Sequence, residues 1–72
     1  MGLYQNYLDQ NGITRYKVAK ASGVSNSTLQ RVAESEHGTD TISGKILKAT
    51  AVALDKKPWK VFEELLKLES SN

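Results

Sequence analysis

The sequence predicts an all-α domain of five short helices, and three observations carry that expectation. Apolar residues recur at i, i+3, i+4 spacing in five separate stretches, and nowhere is there a convincing alternation with period two. Hydroxyl side chains suited to capping a helix stand ahead of three of those stretches, at Thr14, Ser25 and Ser43. Helix-ending or loop-forming punctuation separates the stretches, at Asn11-Gly12, Gly23 and His37-Gly38-Thr39-Asp40.

The first helix is expected over Leu3 to Gln10, with Leu3, Tyr4, Tyr7 and Leu8 on its packed side and Gly12 in the left-handed position that ends it. Thr14 caps the second helix, which runs to about Ser22. Ile13 and Val18 form a hydrophobic staple across its start. Ser25 caps the third, Asn26 to about Glu34, whose buried stripe is Leu29, Val32 and Ala33. The fourth, Gly44 to Leu54, follows Ser43 and is apolar most of the way round, so it is expected to be central or buried on two sides. Pro58 opens the fifth, whose apolar side comes from Trp59, Val61, Phe62, Leu65, Leu66 and Leu68.

Length and composition bound the function. The 72 residues make one domain, 1–72, with residues 69–72 expected as a disordered tail. A chain this short buries only about 60% of its unfolded surface, which leaves little room for a deep substrate pocket. There is no cysteine, and His37 is the one histidine, so no metal site or cofactor is expected. No Ser/His/Asp set and no phosphate-binding glycine loop is present, so the chain does not read as an enzyme. No small-molecule ligand is implied. No apolar run approaches the roughly 20 residues a membrane helix needs, and the first residues are polar too early for a signal peptide. A cytoplasmic location is the expectation.

Net charge is only +2, but it is unevenly spread. Between Ile13 and Ala33 there are four basic residues (Arg15, Lys17, Lys20, Arg31) and no acid. Glu34, Glu36 and Asp40 follow as a short acidic patch, and then five lysines stand between Lys45 and Lys60 against Asp55 alone. A basic surface of this kind suits a polyanion.

The informative stretch is RYKVAKASGVSNSTLQRVAE, Arg15 to Glu34. Two short helices meet at the tight turn Ser22-Gly23-Val24. Ala19, four residues before Gly23, allows close approach, and Val18, Val24, Leu29 and Val32 seal the angle. With its Tyr-Lys-Val-Ala run, Ser-Gly-Val turn and Ser-Asn-Ser-Thr-Leu segment, the chain resembles the phage repressor and Cro family, the XRE type of helix-turn-helix. The resemblance spans nearly the whole chain. It implies a five-helix lambda-repressor-like DNA-binding domain acting as a sequence-specific transcriptional regulator on double-stranded DNA, of the repressor type. The pattern departs at Glu34, Glu36 and Asp40, where relatives often carry basic or amide residues. It departs also at Thr50, usually apolar, and at Asp55, usually glycine.

By that resemblance, the base-contacting positions fall on Ser25, Asn26, Ser27 and Arg31. Gln30 joins them from helix geometry, since the outward face opposite Leu29, Val32 and Ala33 carries Ser27 and Arg31 flanked by Gln30 and Glu34. Phosphate contacts are expected from Thr14, Arg15 and Tyr16 at the start of the second helix and from Thr39, Thr41, Ser43 and Lys45 after the third. In the fifth helix Trp59, Phe62 and Leu66 form one apolar stripe, and Trp59 and Phe62 are assigned to the core. Val61, Leu65 and Leu68 form the adjacent stripe, assigned to a two-fold homodimer interface. The alternative function is a protein-interaction module of the same fold, antitoxin-like or antirepressor-like, with weak or no DNA binding. The acidic patch and the low net charge favour it.

Overall fold

Each of the middle helices starts at a hydroxyl that the sequence supplies. A computed structural model describes residues 2–35 and 38–70, apart from the Thr41 side chain. In it Thr14, Ser25 and Ser43 accept the backbone N–H groups of Lys17, Thr28 and Ile46 at 3.2, 3.3 and 3.4 Å. Each bond satisfies one of the free donors of a first turn. The helices are α1 (Leu3–Gln10), α2 (Arg15–Ser22), α3 (Asn26–Glu34), α4 (Gly44–Leu54) and α5 (Pro58–Ser70), with a 3-10 turn at Gly38–Thr41 where the sequence suggested plain loop. Among the described residues there is no strand.

The helix ends are equally local in origin. Gly23 closes α2 at φ 81°, and its N–H bonds the Ala19 carbonyl at 2.8 Å. Asp55 closes α4 in the left-handed region, at φ 56° and ψ 46°. An aspartate tolerates that region better than most residues, so the turn survives without glycine. Gly2 serves a different need: a Cβ there would lie 2.2 Å from the Ser35 carbonyl oxygen and 2.6 Å from that of Ala33. Only a bare Cα lets the start of the chain pass beneath the end of α3.

α4 is the centre of the packing, with α2 on one side and α5 on the other, while α1 bridges α3 and α5. The core comprises Tyr4, Tyr7, Leu8, Val18, Val24, Leu29, Ala33, Ile42, Ile46, Ala49, Ala51, Val61 and Leu65. Tyr4 and Tyr7 are therefore packed, as the first-helix pattern suggested. Val52 breaks the expected burial of α4, standing 60% exposed.

Two expectations for α5 are corrected. Val61 and Leu65, assigned to a dimer interface, are both 0% exposed in the core of a single chain. Leu68 is half-buried and packs against the same core. Trp59 and Phe62, assigned to the core, face outward at 72% and 37% exposure, together with Leu66 at 41%. The small interior already holds two tyrosines, and α5 turns its compact aliphatic stripe into the remaining space. Residues 69 and 70, assigned to a disordered tail, belong to α5, while 71 and 72 lie outside the described residues. The Glu69 carboxylate accepts the Thr39 N–H at 3.0 Å and the Thr39 hydroxyl at 2.9 Å.

Thr50 has a larger role than its own helix required. Its hydroxyl donates to the Ile46 carbonyl at 2.8 Å, one turn back. That commits its proton, so the buried Tyr4 hydroxyl donates to Thr50 Oγ1, 2.7 Å away. Thr50→Val keeps the shape but strands the Tyr4 hydroxyl, which costs about 1–3 kcal/mol. Denaturant unfolding should show that loss, and Tyr4→Phe added to Thr50→Val should recover most of it. A double variant as weak as the single one would contradict the assignment.

A second polar link joins α1 to α5. Glu64 Oε1 accepts the Tyr7 hydroxyl at 2.5 Å and the Lys56 ammonium at 2.8 Å, and Lys56 reaches Asn11 Oδ1 at 3.5 Å. The Lys56 hydrogen bond, then that of Tyr7, hold the Glu64 carboxyl below its ordinary range. Burial, then the bond to Glu64, pushes the Tyr7 hydroxyl up. A lowered carboxylate stabilises the fold fully above the ordinary glutamate value of about 4.3. The contribution is lost as pH falls through the lowered folded value. Thermal unfolding followed from neutral to acid pH should therefore drop on that limb, and Glu64→Gln should flatten part of the drop. An unchanged acid profile in the variant would contradict this.

Candidate nucleic-acid interface

α3 presents its polar side to solvent because Leu29 and Ala33, four apart, anchor the other side in the core. Ser25, Asn26, Ser27, Gln30, Arg31 and Glu34 are all exposed, and Thr28 and Val32 are half-buried at the edges. Neither α2 nor α3 has an acid in its first turn, so the positive end of each helix dipole is uncompensated.

The candidate base-contacting residues differ in what they are free to do. Ser25 is the α3 cap, and its oxygen also lies 2.7 Å from Thr28 Oγ1 and 3.5 Å from Ser27 Oγ. Gln30 Nε2 donates to Glu34 at 3.1 Å, so its amide is held along the helix. Asn26 sits exposed at the first residue of α3, and Arg31 in its last turn is exposed, with no carboxylate in ion-pair range among the described residues. Among the described residues, then, no carboxylate occupies the Arg31 guanidinium fork.

The candidate phosphate contacts separate in the same way. Thr14 and Ser43 accept cap bonds and retain a hydroxyl proton to donate. Arg15 is half-buried, Tyr16 is 58% exposed, and Lys45 is exposed. Thr39 is already engaged, since both its N–H and its hydroxyl donate to Glu69. An incoming phosphate there would have to displace that carboxylate. The Thr41 side chain lies outside the described residues, as do Glu36 and His37 of the acidic patch. Asp40 is exposed.

The fold brings the α2 and α3 candidates onto two helices that pack against one another, with Val18, Val24 and Leu29 buried in the common core. Residue assignment from the sequence passed over Lys17 and Lys20. Both are exposed on α2, and the Lys20 ammonium lies over the Tyr16 ring, 5.8 Å from its centroid. The run of bases without acids was their signal. Among the described residues no group of three or more metal-ligating side chains converges, and no helix is long and apolar enough to cross a membrane. Comparison with protein-family models, with curated proteins and with solved structures finds no match for this chain.

Proposed function

We propose that this protein is a sequence-specific double-stranded DNA-binding regulator of the repressor type, with α2 and α3 acting as a helix-turn-helix. The observation that carries the reading is the outward face of α3, where Asn26, Ser27, Gln30 and Arg31 stand exposed. A merely solvated helix face favours glutamate and lysine, whereas amide, hydroxyl and guanidinium groups match the donor and acceptor edges of base pairs. In this reading Arg31 reads guanine O6 and N7 in the major groove, and Asn26 reads adenine or a neighbouring base edge. The α2 amides with Arg15 and Tyr16, and Lys45 with the Ser43 hydroxyl, hold phosphates on either side. Lys17 and Lys20 add to the attraction.

The regulator acts as a homodimer in this proposal, through the exposed stripe Trp59, Phe62 and Leu66. Two reading helices would then sit about 34 Å apart, one DNA turn.

The reading as an interaction module without DNA is favoured by the exposed Glu34 and Asp40. Salt dependence separates the two. If each protomer neutralises about four phosphates, and so the dimer about eight, raising salt fourfold should weaken duplex binding by roughly 10⁴-fold. Fluorescence anisotropy with a labelled duplex measures it. No binding even at low salt would sink the regulator reading.

A further inference from the structure

α4 was expected to be covered on its apolar sides, yet a groove of about 510 Å³ remains open between the end of α2 and α4. Its floor is Val24 and Ala49, and Ala21 and Val52 stand beside it. Val52 is 60% exposed, so a hydrophobic wall faces water along this groove. Among the described residues the groove's charged groups are Lys45 and Lys48, with no acidic residue lining it. Lys45, Lys48 and Val52 follow at i, i+3 and i+7, one strip along α4. Both lysines are exposed and neither has an ion-pair partner among the described residues. α4 also has no acid in its first turn, so its positive end adds to the same field.

We propose that this groove docks an acidic segment of a partner protein that carries one medium-sized apolar anchor. The anchor seats on Val24 and Ala49 against Val52, and flanking carboxylates meet Lys45 and Lys48. Charge complementarity selects an acidic occupant, and the apolar floor and wall select a peptide over a sugar-phosphate chain, which has no comparable group to bury. Lys45 is also a phosphate candidate, so an occupied groove would weaken DNA binding. That consequence alone rests on the regulator reading, and the test below reads docking itself.

The test is a titration of the isotope-labelled full chain, followed by amide NMR shifts. The probes are a capped peptide of aspartates and glutamates around a single leucine, the same peptide with serine in place of leucine, and a random-sequence duplex. The expected result is saturable shifts at Ala21, Val24, Lys48, Ala49 and Val52 with the leucine peptide. Binding of the serine peptide should be about tenfold weaker or more, the effect of losing one leucine-sized burial. Val52→Glu and Lys48→Glu, both at exposed positions, should each weaken binding of the leucine peptide while leaving the helical spectrum intact. Equal binding of the two peptides, or no groove shifts with either, would overturn the proposal. Groove shifts produced by the duplex but by neither peptide would also overturn it and make this face a nucleic-acid surface.

Discussion

Arg31→Ala is expected to lower affinity for the specific site by about 1–3 kcal/mol, roughly fivefold to 150-fold, and to relax the preference at one base pair. The size follows from its setting. Arg31 is exposed, and among the described residues no carboxylate in ion-pair range holds its fork back from the proposed base contact. Its removal should barely touch the fold, since exposed positions usually change stability by less than about 0.5 kcal/mol. Binding to random duplex should fall much less, because one charge of several is lost. Gln30→Ala is the useful contrast: Gln30 already donates to Glu34, so its truncation should cost less than that of Arg31. Titrations of the selected site and of a scrambled duplex measure both effects. An equal loss on the two duplexes would make Arg31 a phosphate contact instead of a reader.

The second large effect concerns two neighbouring leucines with opposite duties. Leu65 is 0% exposed and Leu66 is 41% exposed. Leu65→Ala empties core volume between α5 and its neighbours and should cost about 2–5 kcal/mol. In a domain this small each kilocalorie lowers the melting temperature by about 4–8 °C, so the variant should be largely unfolded at moderate temperature. Leu66→Ala should leave the chain folded but, in the proposed dimer, shift sedimentation toward monomer, because Leu66 stands on the exposed stripe and not the buried one. Paired thermal unfolding and sedimentation distinguish the two. If Leu65→Ala stays folded and becomes monomeric while Leu66→Ala changes nothing, the assignment of the stripes is reversed.

These two leucines also mark where the sequence stopped being legible. Helix boundaries followed from contacts within a few residues: Thr14 to Lys17, Ser25 to Thr28 and Ser43 to Ile46 each satisfy a cap over three positions. The outward face of α3 was legible too, because Leu29 and Ala33 leave one rotation that buries them both. α5 offered two apolar stripes of similar strength, and only the space left by Tyr4 and Tyr7 decides between them. Long-range polar pairs had no local signal at all. Thr50 bonds back to Ile46 within its own helix, but its meeting with Tyr4 lies 46 positions away. Thr39 could be offered to a phosphate, but Glu69, 30 positions away, claims its donors first.

Selection of bound duplexes from a random pool tests whether α3 reads a DNA sequence. Selection should be run at low and moderate salt, with Arg31→Ala beside the unaltered chain. The expected result is an enriched, roughly palindromic site with half-sites about one DNA turn apart, and the variant should lose preference at one position of each half-site. Recovered duplexes with no common sequence at either salt would contradict it and leave a protein partner as the object of this fold.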